Sequence, residues 1–291
     1  MPNIRQIRRR IRSVQSTAKI TRAMEMIAAS KMRRSQQRVL ASRPYATALL
    51  EVLADLAGRS MERGIEEVHP LLAVREARRT GIVLFTPDRG LCGGLNANLN
   101  RTAGAFALEQ ALPVAFITVG QKGRDYMVRF GRDVVADFTR LGDFATLADV
   151  LPIAHIVMEE YAAGHVDRVY LVYPEFVTTV VQRPLVRQLL PIVPPEQAGR
   201  RPFPLEFAYE PDPATVLGAL LPRLVEMWIY HALLETSASE QSARMVAMHA
   251  ATDAANEMIT DLTLAYNKAR QEMITTELLD IVGGVTALEQ A

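Results

Sequence analysis

The C-terminal stretch of the chain constrains the fold most, because it lacks the residues that interrupt helices. No proline follows Pro222, and the first glycine after Gly218 is Gly283. Apolar or small residues recur there in steps that alternate between four and three: Met248, Thr252, Ala255, Ile259, Leu262, Tyr266, Ala269 and Met273. This spacing is the 3.5-residue period of a coiled coil. We therefore predict one long helix, with Asp212 as its N-cap, that needs a second helix or a partner protein to cover its apolar side.

The N-terminal segment has the features of that second helix. The same alternation relates five of its residues: Ile4, Ile7, Ile11, Val14 and Ala18. No proline or glycine lies between Asn3 and Arg43, and residues 1–44 carry twelve Lys or Arg side chains against one acid, Glu25. Residues 213–291 carry four basic and ten acidic side chains. Opposite charges and matching apolar rows predict that the two helices pair, and the excess positive charge predicts a further, acidic partner.

Between these helices, short apolar runs alternate with helical segments. Strands are predicted at residues 81–85, 113–119, 134–138 and 166–173, with helices at 97–111, up to Phe130, and at 146–163. Two further runs, 176–181 and 186–192, are predicted to be edge strands. Such alternation predicts βαβ units and a mostly parallel sheet. We therefore expect an α/β fold in which a Rossmann-like domain at residues 76–204 is inserted between long helices at 1–57 and 209–291.

The richest loop of the sequence is Asp88-Arg-Gly-Leu-Cys-Gly-Gly-Leu-Asn96, which follows a predicted strand and precedes a predicted helix, where phosphate loops lie. Its glycines, Gly90, Gly93 and Gly94, match neither G-x-G-x-x-G nor G-x-x-x-x-G-K-[ST]. A structural glycine turn is therefore favoured over nucleotide binding. Cys92 is the one cysteine of the chain, which excludes an internal disulfide, and it has no catalytic His or Asp context. The histidines lack ligand spacing, so we expect no metal, cofactor or catalytic residue.

The end of the long helix is apolar and lacks positive charge. Residues 273–291 contain no Lys or Arg, and their apolar cluster consists of Ile274, Leu278, Leu279, Ile281 and Val282. Two interpretations remain open: a frayed end that packs on itself, or a tip held in an apolar collar of another protein. No apolar run approaches the roughly 18 residues that span a bilayer, so no transmembrane segment is predicted.

Several motifs, which occur in family order over nearly the whole chain, resemble the gamma subunit of rotary F-type ATP synthases. They are ITRAMEMIAASKM at 20–32, DRGLCGGLN at 88–96, YEPDP at 209–213, SEQSARMVAM at 239–248 with TDAAN at 252–256, YNKARQ at 266–271 and TTELLDIVG at 275–283. The resemblance implies that the terminal helices form an antiparallel, left-handed coiled coil, the shaft, inside a ring of three alpha and three beta subunits. The α/β insert would then be a foot.

The same resemblance implies the partners and the role. The foot would meet the epsilon subunit and the membrane c-ring of a proton-translocating enzyme, with one copy of the chain per complex, on the cytoplasmic side of the bacterial cell membrane. The chain would transmit torque and hold no catalytic group. Family contact residues between rotor and stator correspond here to Met24, Arg244 and Gln271, and the apolar tip corresponds to Ile274, Leu278 and Ile281.

Two other functions remain as alternatives. A basic region that runs into heptads is typical of leucine-zipper proteins, so the chain could instead be a helical nucleic-acid-binding protein with an α/β module. Against this, the positive charges share one segment with the apolar row and do not precede it. A nucleotide-dependent enzyme that uses the α/β insert is the third hypothesis.

Overall fold

The computed structural model describes residues 4–61, 69–142, 146–193 and 209–289. The chain divides into two compact units: unit 1 consists of Met1–Ile27 and Met245–Ala291, and unit 2 of Ala28–Arg244. Unit 1 is therefore built only from the two ends of the chain, and unit 2 contains the whole described sheet.

Two long helices form the ends of the described chain. Helix α1 spans Ile4–Met61 and contains Pro44, and helix α5 spans Pro213–Glu289. The start of α5 is as predicted, because the Asp212 carboxylate accepts a hydrogen bond from the backbone nitrogen of Thr215 at 2.9 Å, as an N-cap does. This hydrogen bond, together with one from the Thr215 hydroxyl, lowers the pKa of Asp212.

Unit 2 contains a mixed five-stranded sheet. The strands are β1 at Thr80–Phe85, β2 at Val114–Val119, β3 at Asp133–Phe138, β4 at Arg168–Phe176 and β5 at Gln182–Leu190. The helices between them are α2 at Leu95–Glu109, α3 at Gln121–Arg129 and α4 at Leu147–Ala162. The strand order is β3-β2-β1-β4-β5, with β5 antiparallel to β4 and the other pairs parallel. The predicted α/β fold with a mostly parallel sheet is confirmed.

One predicted edge strand is wrong. Residues 176–181 do not form a separate strand, since Phe176 ends β4 and the following residues turn into β5. The Thr178 hydroxyl accepts a hydrogen bond from the Val181 nitrogen at 3.0 Å, and the Thr178 nitrogen donates to the Val181 carbonyl at the same distance. The β-branched composition of the run favoured strand pairing, but a local hydrogen bond to the Thr178 side chain replaces that pairing. The second predicted edge strand is β5, which begins four residues earlier and includes Pro184, as an edge strand can.

The core lies on both faces of the sheet. Successive β1 residues point to opposite faces, so Val83 and Phe85 pack in a cluster with α4 and α5, and Ile82 and Leu84 pack in a second cluster with α2 and α3. The part of α5 in the first cluster includes Leu217, Leu221, Leu224, Val225 and Ile229. Packing of α5 against the sheet therefore covers one face of unit 2.

Helix α5 also meets a length and composition test for membrane crossing. An apolar window of 18 residues lies within Pro213–Val282, and 44% of that window is buried inside the protein. A core helix meets the same test, and the apolar residues from Leu217 to Leu233 belong to the core of unit 2. The absence of a transmembrane segment stays a prediction.

Candidate functional site

In unit 1 the two ends of the chain pair as antiparallel helices. The hydroxyls of Thr21 and Thr252 lie 2.7 Å apart, and Oε1 of Glu25 lies 3.1 Å from Nδ1 of His249. Four residues forward along α1 therefore correspond to three residues back along α5. His249 also lies 3.5 Å from the carboxylate of Asp253 through its other ring nitrogen. The antiparallel direction implied by the resemblance is confirmed.

The predicted apolar row of α5 is covered only along part of its length. Met248, Thr252 and Ala255 are buried, Ile259 to Ala269 of the row are half-buried, and Met273 is exposed. Both helices rise equally per residue. If the pairing seen at Thr21 and Glu25 continues towards the start of α1, that start lies opposite about residue 269 of α5. Beyond that point α5 continues to Glu289 without cover from α1.

The apolar residues of this uncovered end are exposed in the described chain. Ile274, Leu278 and Ile281 expose 42 to 64% of their surface, and Leu279, Val282 and Val285 are exposed as well. A helical end with such an exposed apolar surface is suited to an apolar partner. We call residues 273–285 the apolar tip.

The three predicted contact residues lie in different settings. Met24 lies on α1 and is half-buried, and Gln271 is exposed just before the apolar tip. Both belong to unit 1, whereas Arg244 is the last residue of unit 2. Arg244 is the least exposed of the three residues, since only 11% of its side chain is accessible.

Arg244 makes two contacts within unit 2. Its Nη2 lies 2.5 Å from Oε1 of Glu240, one helical turn earlier, and 3.3 Å from the carbonyl oxygen of Gly90. Glu240 is also mostly buried, with 18% of its side chain accessible. A guanidinium has five donors in a fixed fork, so it can serve a carboxylate and a backbone carbonyl together. Arg244 thereby connects α5 to the loop between β1 and α2.

That loop, residues 88–94, is held in place from several sides, and we call it the glycine loop. The Asp88 carboxylate accepts hydrogen bonds from the backbone nitrogens of Gln121 at 2.8 Å and Arg140 at 3.0 Å. The Asn96 amide donates to the Arg89 carbonyl at 3.3 Å. Because the ends and carbonyls of the glycine loop are engaged in this way, its conformation is well determined.

The glycine loop buries one side chain and exposes another. Cys92 is 1% exposed and packs in a small cluster with Leu95 and Leu99, next to Ala243 of α5. Burial raises the pKa of the Cys92 thiol; the Glu240 carboxylate raises it further, and Arg244 opposes both. Leu91 has a positive φ of 63° and is 61% exposed. The loop thus directs a leucine outwards above an unreactive, buried thiol.

The N-terminus of α3, further along the chain, is bound by the Asp88 side chain of the glycine loop. Helix α3 begins after β2, and its first amide, at Gln121, is bound by the Asp88 carboxylate. An anion is favoured at a helix N-terminus, and here Asp88 supplies it. The adjacent cavity, lined by Thr86, Gly120 and Phe138 among others, has a volume of about 50 Å³. Ligand pockets are typically about 300 to 1,000 Å³, so this cavity is smaller than a typical ligand pocket.

Two functional groups of this region were missed by sequence reasoning. Glu240 stands four residues before Arg244, a spacing that signals an ion pair on a helix and was available in the sequence. Asp88 gave no such signal, since its partners come from two distant loops. Over the described ranges, no group of three or more His, Cys, Asp or Glu side chains could hold a metal ion.

Antiparallel terminal helices with an uncovered apolar end, attached to an α/β body, are the features of a central-stalk protein. Among solved structures, the chain is similar to one from the Tetrahymena thermophila mitochondrial ATP synthase central stalk and c-ring, with a TM-score of 0.61 and 26% identity over 80% of this chain and 99% of that one. A chain of the Euglena gracilis mitochondrial ATP synthase shares the fold, with a TM-score of 0.68 and 20% identity over 98% and 94%.

Sequence comparisons define the family. A protein-family profile described as ATP synthase matches residues 3–288. The ATP synthase gamma chain of Dehalococcoides mccartyi (strain ATCC BAA-2266 / KCTC 15142 / 195) is 55% identical over 289 residues, which are 99% of this chain and 100% of that protein. The gamma chain of Roseiflexus castenholzii (strain DSM 13941 / HLO8) is 50% identical over 296 residues, covering 100% of both. The chain belongs to the ATP synthase gamma-chain family.

Proposed function

We propose that this chain is the rotor shaft of a proton-translocating F-type ATP synthase. It couples rotation of the membrane c-ring to ATP synthesis or hydrolysis at the beta-subunit sites of an alpha3-beta3 ring. The observation that carries this proposal is the apolar end of α5, which extends beyond its partner helix with exposed Ile274, Leu278 and Ile281. An apolar, weakly charged end can turn within an apolar collar, because no directional bond has to break as it turns.

The two ends of the chain also differ in charge. The N-terminal segment is strongly basic and its partner segment acidic. Three otherwise identical sites that face different sides of such a pair experience different contact energies, and differential contact is what shifts a site between conformations. Met24, Gln271 and Arg244 are the contact candidates, and 11% of the Arg244 side chain is accessible.

The partners follow from the same role. The alpha and beta subunits surround unit 1, and the c-ring binds the α/β insert, which also contacts the epsilon subunit. One copy of the chain per complex acts on the cytoplasmic side of the bacterial membrane as a peripheral, non-catalytic subunit.

Nucleic-acid binding has no support. The basic helix pairs with α5 through Thr21 and Glu25. The relatives from Dehalococcoides mccartyi and Roseiflexus castenholzii are both named ATP synthase gamma chain, a name that does not refer to nucleic acid. We therefore do not retain this alternative.

Reconstitution tests the proposal. The purified chain is mixed with alpha and beta subunits, and complex formation is followed by native mass spectrometry together with ATP hydrolysis. We expect one copy of the chain per hexamer and an active ATPase, while the chain alone neither binds nor hydrolyses ATP. Alpha and beta subunits without the chain serve as the control. Absence of a complex, or hydrolysis by the isolated chain, would contradict the proposed role.

A further inference from the structure

We propose that three polar residues of α5, Glu235, Ser239 and Ser242, occupy the place of a neighbouring strand beside β4, and that this attachment transmits torque from the α/β insert to α5. The three residues are spaced by four and three positions, so they lie on one side of the helix. We call them the polar row. The proposal rests on the rotor-shaft function and identifies, within unit 2, the contacts through which the insert turns the helix.

Strand β4 extends beyond the strand next to it on one side. Its parallel pairing with β1 ends at Val172, whereas its antiparallel pairing with β5 continues to Phe176. Residues 173–176 therefore have a strand partner on one edge only. An unpaired strand edge presents backbone donors and acceptors that another chain can bind, and proteins usually cover or block such an edge.

The register shows which backbone groups lie on the unpaired edge. Pro174 lies opposite Pro184 of β5, and neither residue has an N–H group, so the two do not form a hydrogen-bonded pair. Hydrogen-bonded and non-hydrogen-bonded pairs alternate in an antiparallel ladder, so Phe176, opposite Gln182, also belongs to a non-hydrogen-bonded pair. The backbone groups of Pro174 and Phe176 therefore point away from β5, towards the edge that β1 leaves unpaired.

Two residues of the polar row bind these backbone groups. Oε2 of Glu235 accepts a hydrogen bond from the Phe176 nitrogen at 2.9 Å, while its Oε1 lies 3.7 Å from Nε2 of His231 on the same helix. The Ser239 hydroxyl donates to the Pro174 carbonyl at 3.2 Å. Helix α5 thus supplies one acceptor and one donor where a neighbouring strand would supply its own backbone groups.

The third residue of the polar row holds the turn between β4 and β5, residues 177–181. The Ser242 hydroxyl donates to the Thr179 carbonyl at 2.6 Å. Ser239 and Ser242 are fully buried, and Glu235 is 8% exposed. Earlier in α5, from Leu217 to Leu233, apolar residues form the buried side. The polar row therefore replaces apolar packing by hydrogen bonds, which satisfy polar groups that would otherwise be costly to bury.

Hydrogen bonds give this attachment a property that apolar packing lacks. The hydrophobic effect is non-directional, so it resists separation of two surfaces more than it resists sliding or turning. Hydrogen bonds require a defined distance and angle, so the polar row fixes the rotation of α5 about its own axis and its position along β4. Ser242 stands two residues before Arg244, the last residue of unit 2. The insert therefore grips α5 in its last turns before the helix continues into unit 1.

The first experiment measures how firmly the polar row holds the turn in the full-length chain. Hydrogen–deuterium exchange followed by mass spectrometry reports on the amides of residues 176–181. In the double variant Ser239→Ala/Ser242→Ala two carbonyls lose their donors, so we expect these amides to exchange at least about tenfold faster. The matched control is Thr236→Val, which removes a buried hydroxyl whose hydrogen bond, to the Ala232 carbonyl at 2.6 Å, stays within its own helix.

Exchange at residues 176–181 should stay at the parental rate in the control. A milder variant, Ser242→Ala alone, keeps the measurement decisive if the double variant does not fold, and it should exchange about threefold faster. Exchange at the parental rate in a folded serine variant would overturn the proposal. An equal increase in Thr236→Val would overturn it as well, because the effect would then be a general loss of stability.

The second experiment tests torque transmission in the complex reconstituted into vesicles. ATP-driven proton pumping builds a pH gradient that opposes further rotation, so a weakened attachment slips as the load grows. We expect pumping by the Ser239→Ala/Ser242→Ala complex to stop at a smaller gradient than that of the parent while ATP hydrolysis continues. The Thr236→Val complex should reach the parental gradient. A parental gradient in the double variant would overturn transmission of torque through the polar row.

The two experiments separate this inference from the function on which it rests. If the parental chain neither assembles with the ring nor supports proton pumping, the rotor-shaft function is wrong. The exchange experiment requires neither ring nor membrane, so it would still decide whether the polar row holds the turn between β4 and β5.

Discussion

Gly120, between β2 and α3, is a position that only glycine can occupy. Its φ is 109°, and a Cβ at this residue would lie 1.8 Å from the Thr86 carbonyl oxygen. The backbone at the end of β1 and the turn before α3 approach so closely that neither can move without disturbing the sheet.

We therefore expect Gly120→Ala to lower the free energy of unfolding by more than about 3 kcal/mol, from steric overlap and an unfavourable φ. Gly104→Ala is the matched control, since Gly104 lies within α2 and a Cβ there would meet no other atom within 4 Å. That change should stabilise the protein by about 0.5 to 1 kcal/mol. Urea unfolding of the two variants measures both effects; similar midpoints for the pair would contradict the close approach.

Asp167 anchors the segment that leads into β1. Its carboxylate accepts hydrogen bonds from the backbone nitrogens of Arg78 at 2.8 Å and Arg79 at 3.0 Å. The hydrogen bond from Arg78 is the largest cause that lowers the pKa of Asp167 below 3.8. Asp167→Asn should cost about 1 to 2 kcal/mol at neutral pH, because it weakens two hydrogen bonds to a charged acceptor.

The pH dependence of this difference has a defined sign. A lowered pKa in the folded state contributes stability that is present above the unfolded pKa of 3.8 and is lost as pH falls through the folded value. Urea unfolding of the parent and Asp167→Asn should therefore give a gap that is full at neutral pH and shrinks below pH 3.8. A gap that does not change with pH would show that the charge of Asp167 contributes nothing.

At the scale of the element, α5 has a covered part and an uncovered part, which respond differently to the same substitution. Ala255 is buried in the paired part, and Leu278 is exposed in the apolar tip. Ala255→Asp should lower the free energy of unfolding by at least about 3 kcal/mol, because it buries a carboxylate without a partner. Leu278→Asp should leave the isolated chain unchanged and impair assembly with the alpha and beta subunits.

Thermal unfolding followed by circular dichroism measures the first effect, and native mass spectrometry of the mixed subunits measures the second. Thr276→Asp, at a polar and exposed position of the same end, is the control for added charge. Assembly that tolerates Leu278→Asp as well as Thr276→Asp would contradict an apolar collar around the tip.

How far the sequence predicts these elements depends on whether a periodic pattern carries the information. The row from Met248 to Met273 identified the paired face of α5, but it did not show where the cover ends, since Met273 of the row is exposed beyond the start of α1. The run at 176–181 misled, because its composition suits a strand while the Thr178 hydroxyl favours a turn. The Arg244 contact to Gly90 could not be predicted, since residues 154 positions apart carry no local signal of proximity.

At the scale of the whole molecule, the proposed function requires the paired helices of unit 1 to transmit torque. Their contacts with the surrounding ring must form and break in a fixed sequence as they turn. Met24 lies on the basic helix, half-buried, one position before Glu25, which contacts His249 of α5. A thioether offers a soft, apolar contact without directional bonds. Such a contact can be left and regained at little cost as the shaft turns.

We expect Met24→Lys to impair coupling while ATP hydrolysis continues. A new cation beside an acidic loop of the ring forms an ion pair that is absent from the normal sequence of contacts, and breaking it adds a cost to every turn. Met24→Leu is the matched control, because it keeps an apolar side chain of similar volume. In reconstituted vesicles, proton pumping per ATP hydrolysed should fall for Met24→Lys and stay near the parental value for Met24→Leu. An equal ratio in all three proteins would remove Met24 from the contact surface and leave the apolar tip to carry the coupling.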